Sequence, residues 1–410
     1  MNSEIDFNQL HRDHYGQLVA TLTSSIGDLT LAEEFVQDAF ATAMTTWPRD
    51  GTPESPRAWL NRTSLNRAID HMRRKKHHRQ TLPDIAYLNE IQSGPEVDTD
   101  LHPALRDDML RLIFCCCHPA LSMEARVALA LRIVCGLETQ SIADAFIVPE
   151  ATMAQRLVRA KQKISNAGIG WRIPEKAELD ERTNAVLAVI YLVFNKAWSQ
   201  PANPDAMQCD LAETAIQMGR NLVTLLPGST QTQALLALML LQHSRRRARF
   251  DGNGDTVLLE FQDRSLWDRA NIAEGKALVH HLFDIGQGNS SYAIQAAIAA
   301  MHSDAVSSDN TDWTEICTLY EYLMDIDDSD VVQLNYAVAL CERDGPVAAL
   351  RKIDQLLARG KLENYHLLHS TQANFLRRNG QMEQANAAYK RALELASNET
   401  DRKFLRKQLH

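Results

Sequence analysis

Between Arg57 and Arg79 the chain places eight basic residues, Arg57, Arg62, Arg67, Arg73, Arg74, Lys75, Lys76 and Arg79, against one acid, Asp70. The whole chain carries a net charge of −9. Trp59, Leu60, Thr63, Ala68, Ile69 and Met72 recur at helical spacing, so the segment reads as an amphipathic helix with a cationic face. Cations concentrated on one helix of an anionic protein suit phosphate binding at one place. The same pattern is also what a solvated helix end looks like. Arg62, Arg67, Arg73 and Arg74 are the candidate phosphate contacts. Asn66 can hydrogen-bond a base or cap a turn, Trp59 offers either a stacking face or a core ring, and Asp70 is expected to order the neighbouring arginines.

A second basic helix lies downstream. Thr139–Phe146, a short turn at Ile147-Val148-Pro149 and Glu150–Ile164 have helix–turn–helix proportions. Arg156, Arg159, Lys161 and Lys163 follow Glu150 without another acid, and Thr152 and Gln155 lie near the N-terminal end, where a helix entering the major groove meets bases. Ile142, Ala143, Phe146, Val148, Leu157 and Ala160 are the positions expected to pack the two helices together.

The elements that must hold these helices are helical too. The chain has 410 residues, 45% hydrophobic and 23% charged, enough for two or three globular domains. Leu and Ala dominate, and strict alternation is scarce, which favours an all-α fold. Asp28 or Thr30 caps a helix that runs through Phe35, Val36, Ala39, Phe40 and Ala43 until Trp47-Pro48 stops it. Glu33, Gln37 and Asp38 would form an exposed polar stripe on it. The turn-rich stretch Pro48–Pro56 follows. Residues 82–108 hold seven acids against Arg106 and include Ser93-Gly94-Pro95, which reads as a flexible acidic linker.

Beyond Trp171 amphipathic helices recur at Glu181–Phe194, Leu211–Leu226, Thr232–Gln242, Trp267–Phe283, Tyr292–His302 and Trp313–Met324. Arg247–Glu260 reads as a hairpin with a Gly-Asn-Gly turn. Val331–Asn364 and Tyr365–Glu399 are two segments of tetratricopeptide length, with Ala373, Gly380, Ala385, Tyr389 and Ala392 at the repeat's small, turn and aromatic positions.

These residues, in this order, resemble the extracytoplasmic-function sigma factors. Glu34-Phe-Val-Gln-Asp-Ala-Phe is similar to the family's region 2.2 helix. Trp59-Leu60, Asn66 and Asp70-His-Met-Arg-Arg are similar to regions 2.3 and 2.4. Gly136-Leu-Glu-Thr-Gln-Ser-Ile-Ala-Asp-Ala-Phe, Val148-Pro-Glu-Ala-Thr and Arg156-Leu-Val-Arg-Ala-Lys are similar to the region 4 helix–turn–helix. Phe194-Asn195, Leu258-Leu-Glu, Gln262-Asp-Arg-Ser-Leu-Trp-Asp and Gln295-Ala-Ala-Ile-Ala resemble the long extension, with tetratricopeptide-like repeats, of one subgroup. Two departures stand out: Ile147 occupies the turn where most members have glycine, and Asp38 replaces a glutamate.

The resemblance implies an all-α protein: two small helical sigma domains, the second a helix–turn–helix, joined by an acidic linker, then a helical-repeat domain with one small hairpin. The domains would be 1–81, the linker 82–108, the second domain 109–168, and the extension 169–410 with repeats near 331–399. It implies core RNA polymerase (β′ clamp and β subunits) as partner of Glu33, Glu34, Gln37 and Asp38. It implies promoter DNA at the −10 element as partner of Trp59, Arg62, Asn66, Arg67, Arg73 and Arg74, with Pro48–Pro56 capturing a flipped base. Thr152, Gln155, Arg156, Arg159 and Lys161 would read the −35 element. The repeats would take a protein partner. The rival readings are a helix–turn–helix regulator that never enters polymerase and a repeat scaffold with a vestigial DNA-binding end.

Other chemistry is not expected. Cys115-Cys116-Cys117-His118 cannot close a tetrahedral metal site from adjacent helical positions, so packing thiols are expected. Asp251-Gly-Asn-Gly-Asp lacks the glycine and bidentate glutamate of a calcium loop, with Thr256 and Gln262 in their places. No metal, cofactor or catalytic set is expected. Seven cysteines without regular spacing, no basic-then-apolar start and no apolar stretch of membrane-spanning length point to a reduced, cytoplasmic protein without a membrane segment.

Overall fold

The computed structural model describes residues 6–76, 103–146, 148–167, 169, 171–198, 211–252, 254–305, 307–396 and 399–409. Most of the expected acidic linker and Ile147 lie outside them. The described residues divide into two compact units, one reaching to Ala197 and including 211–218, the other running from Gly219 onward.

The first unit opens with α1 (Phe7–Ile26), α2 (Leu29–Asp50) and α3 (Pro56–Lys76). Asp28 caps α2, its Oδ1 accepting from the Thr30 and Leu31 amides at 2.9 and 3.1 Å. Pro48 does not stop α2, which ends at Gly51 with φ 89°. Proline is tolerated there because only the last turn follows it and the Gly51 amide still reaches the Trp47 carbonyl at 3.0 Å. Pro56 then starts α3 as its first residue, where a missing N–H costs nothing. The expected loop is thereby shortened to 51–55. Ala32, Phe35, Val36, Ala39, Phe40, Ala43 and Trp47 bury one side of α2, and Leu60, Leu65, Ala68 and Ile69 one side of α3.

The chain is described again from α4 (Pro103–Cys116), so the last residues of the expected linker are helical. Next come α5 (Met123–Leu129), a π-helical turn Ala130–Val134, α6 (Thr139–Ala145) and α7 (Glu150–Asn166). The Cys115, Cys116 and Cys117 thiols are buried, as packing predicts, and burial pushes them up, Cys115 to about 11 and Cys117 to about 12. The helix α8 (Lys176–Trp198) belongs to this unit as far as Ala197, although the sequence suggests an extension beginning at 169. Arg182 Nη2 donates to the Phe114 carbonyl at 2.8 Å, and the Lys196 ammonium lies 5.6 Å from the Phe146 ring centroid.

The second unit is helical as well. After α9 (Leu211–Leu225), whose last residues it includes, α10 (Thr230–His243) is buried along Ala234–Leu241 and packs against α11 (Arg269–Asp284) and α12 (Ser291–Asp304). The expected hairpin is reduced to one antiparallel bridge, Phe250 with Thr256, and no strand occurs among the described residues. From α13 (Trp313–Ile326) each helix packs on the next: α14 (Asp330–Asp344), α15 (Pro346–Arg359), α16 (His366–Arg378), α17 (Met382–Leu395) and α18 (Glu399–Gln408). Leu334, Ala337, Ile353, Leu368 and Phe375 form one layer of the core, and Ala373, Ala385, Tyr389, Ala392 and Leu405 the next. Among the described residues no helix is long and apolar enough to cross a membrane.

Candidate nucleic-acid interface

One face of α3 is exposed at Arg62, Asn66, Asp70, Arg73 and Arg74, spaced to lie in a single stripe. Asp70 Oδ1 stands 3.8 Å from Arg73 Nη1, consistent with the ordering role expected of it. Arg67 is turned to the flank instead: Nη1 donates to Asp38 Oδ2 at 2.5 Å and Nη2 to Thr42 Oγ1 at 2.7 Å. Trp59 is half-buried, with its ring edge-on to Trp47 at 5.3 Å. It therefore belongs in part to the core, and Arg62, Arg73 and Arg74 are exposed cations of this helix, whereas Arg67 is half-buried.

On α7, Met153, Leu157, Ala160 and Ile164 face the core, while Thr152, Gln155 and Arg159 are exposed. Arg156 is half-buried in a small pocket lined by Met123, Glu124, Val127, Phe146 and Leu192. Lys161 turns away from the exposed residues, its Nζ donating to Glu33 Oε2 at 2.7 Å.

The polar stripe expected on α2 is only partly a surface. Glu34 is exposed and Gln37 and Asp38 are half-buried, but Glu33 is 4% exposed. An isolated carboxylate cannot be buried at tolerable cost, and this one has partners from two directions. Besides Lys161, Arg132 Nε on the π-turn lies 3.5 Å from Glu33 Oε1. Gln37 Nε2 donates to Glu33 Oε1 at 3.4 Å and to the Tyr15 hydroxyl at 3.3 Å. Arg132 also stacks 5.9 Å from the Tyr15 ring centroid and donates to the Leu137 carbonyl at 2.8 Å. Burial first, then the Glu33 charge, hold the Tyr15 hydroxyl far above its ordinary pKa, so it stays protonated. A groove of about 310 Å³ runs beside this cluster, with Thr30, Glu33, Glu34 and Gln37 on one wall and Ala154, Leu157, Val158 and Lys161 on the other.

Sequence reasoning missed Tyr15 and Arg132. The signal for Arg132 was present: a lone arginine inside the apolar run Val127–Val134 needs a buried acid. Tyr15 gave no comparable sign. Among the described residues no group of three His, Cys, Asp or Glu side chains is placed to hold a metal ion.

The N-terminal helical module that carries the cationic stripe falls within residues 10–78, which match the family described as sigma-70 region 2. Residues 182–283 match a family of unknown function, DUF6596. The chain belongs to one family with an uncharacterized protein of Rhizobium meliloti (strain 1021), to which it is 42% identical over 396 residues, 96% of this chain and 92% of that protein. It is also 29% identical over 161 residues to the probable ECF RNA polymerase sigma factor SigI of Mycobacterium tuberculosis, in two strains, covering 38% of this chain and 54% of that protein. The region 2 match and the similarity to SigI support a sigma factor.

Proposed function

We propose that the chain is an alternative sigma factor of the extracytoplasmic-function type, which binds core RNA polymerase and directs it to a restricted set of promoters. The observation that carries this reading is the exposed stripe Arg62, Asn66, Asp70, Arg73 and Arg74 inside the segment that matches sigma-70 region 2. Arg62, Arg73 and Arg74 would hold phosphates near the −10 element, with Arg67, Asn66 and Trp59 beside them. Thr152, Gln155 and Arg159 would meet the −35 element from α7, with Arg156 contributing from a half-buried position. Glu34, Gln37 and Asp38 on α2 would engage the polymerase β′ clamp, and the β subunit would be met elsewhere on the protein.

The stacked helix pairs α14–α15 and α16–α17 support a tetratricopeptide-like reading of the C-terminal region. Pro346 and Met382 open the second helix of each pair, and Gly345 and Gly380, with φ 88° and 79°, make the turns just before. Such a region suits a protein partner or a regulatory role, in a protein that works in the cytoplasm beside polymerase. The chain is assigned no catalytic role of its own.

The test is transcription in vitro with purified core polymerase and sequencing of the transcripts. Initiation at specific sites that depends on the protein is expected. Transcripts indifferent to its presence would sink the reading.

A further inference from the structure

We propose that the groove between α15, α16 and α17 binds an extended peptide segment of a protein partner, with a lysine or arginine of that segment seated over Asp354. The proposal rests on the partner reading of the helix pairs given above and does not depend on whether the first unit is a sigma module.

The groove exists because α15 and α17 both pack on α16, the helix that lies between them in sequence. It therefore runs between the second helices of the two pairs. Asp354 lines it from α15, Gln372 and Leu376 from α16, and Gln384, Ala387 and Arg391 from α17, the last three on one helical stripe. Its volume is about 500 Å³, inside the range of about 300–1,000 Å³ in which ligand sites fall. The α17 wall from Gln384 to Arg391 is about 10 Å long at the helical rise, which matches about three residues of extended chain.

The chemistry of the walls selects the occupant. Gln372 is half-buried and makes no hydrogen bond to another described residue. Asn379 Nδ2 donates to Gln381 Oε1 at 2.9 Å, and Gln381 Nε2 donates to Gln384 Oε1 at 2.8 Å. The Gln384 nitrogen is thereby left at the end of an amide chain, where it can donate to a ligand. A primary amide both donates and accepts, so Gln372 and Gln384 can pair with main-chain groups of an extended segment whatever its sequence. Ala387 is exposed, and its short side chain lets a backbone approach α17 closely. The charges set the preference. Arg391 is already paired with Glu394 at 3.1 Å. Asp354 is exposed and, among the described residues, makes no ion pair or hydrogen bond. A basic side chain complements it, and the apolar stem of that side chain can lie on Leu350 and Leu376 in the same groove.

The test presents the full chain with a phage library of random linear heptapeptides, then measures the enriched peptides as fluorescent probes. Enrichment of lysine or arginine at one fixed position is expected. Ala387→Trp fills the groove from an exposed position and should weaken these probes by at least about tenfold. Asp354→Lys should do the same and should turn the selection toward aspartate or glutamate at the fixed position. Circular dichroism and the thermal midpoint of both variants should match those of the unsubstituted chain. No enrichment, or enrichment without a fixed basic position, overturns the proposal. Enriched peptides that bind both variants unchanged also overturn it, while showing that the helix pairs hold a partner elsewhere.

Discussion

Asp38 and Arg67 pair across α2 and α3 at 2.5 Å, and the second guanidinium nitrogen of Arg67 reaches Thr42 at 2.7 Å. One residue expected to meet polymerase is thus tied to one expected to meet DNA. The side chains remain 50% and 39% exposed, so solvent screens the pair and its contribution is about 0.5–1 kcal/mol. Arg67→Ala should lower the thermal midpoint of the first unit slightly. A double-mutant cycle with Asp38→Asn should return a coupling energy of that size, and zero coupling would show that the pair is incidental.

Gly136→Ala should destabilise the first unit by about 1–3 kcal/mol. The strain of φ 68° adds to the crowding by His11 and Tyr15. Gly27→Ala carries a similar φ of 70° in open space and should cost less. Chemical denaturation of the two variants checks the order; an equal loss would mean that crowding at Gly136 contributes nothing.

On α7, Arg159 is exposed and Arg156 half-buried beside Glu124 and Phe146. If α7 reads the promoter, Arg159→Ala should relax specificity at one base at a cost of about 1–3 kcal/mol. Arg156→Ala should weaken all promoter sequences by a smaller and uniform factor. Binding to a set of single-base promoter variants measures both, and a loss of selectivity confined to Arg156→Ala would reverse the assignment.

The second unit should lose stability in mild acid. His302 is half-buried beside Arg245 and Arg264, and desolvation of its ring, then those two charges, depress its pKa from 6.5 to about 3. The unfolded chain therefore takes up a proton near pH 6.5 that the folded chain refuses until about pH 3. Stability from this group is intact above pH 6.5 and falls as pH drops, by at most about 1.4 kcal/mol per pH unit. Thermal melts between pH 7 and 5 should show the decline, and His302→Gln should flatten it. Parallel curves for the two proteins would refute the role of His302.

Much of the architecture was legible because local rules and burial agree. The Asp28 cap and the buried faces of α2, α3 and α7 all follow from periodicity and capping. Pro48 was misleading because it costs α2 only the one hydrogen bond its own nitrogen would make to the Met44 carbonyl, while the last turn still closes from the Gly51 amide to the Trp47 carbonyl. The hairpin at 247–260 shrank to one bridge, as 3₁₀ turns at Arg246–Ala248 and Leu259–Phe261 occupy its flanks. On α2 and α7, helical spacing identified polar positions but could not distinguish a polar residue facing water from one facing another charged helix.

The amino-acid order by itself therefore determined the helices, their apolar faces, the cationic stripe of α3 and the resemblance that names its chemistry. These are properties of neighbours three or four residues apart, set by backbone geometry. Tertiary structure alone decided that Glu33 is buried, that Lys161 turns from the exposed face of α7 toward it, and that a Cβ on Gly16 would meet the Val134 carbonyl. Those facts arise between residues more than a hundred positions apart, where a charge or a missing Cβ has no meaning until the partner element arrives.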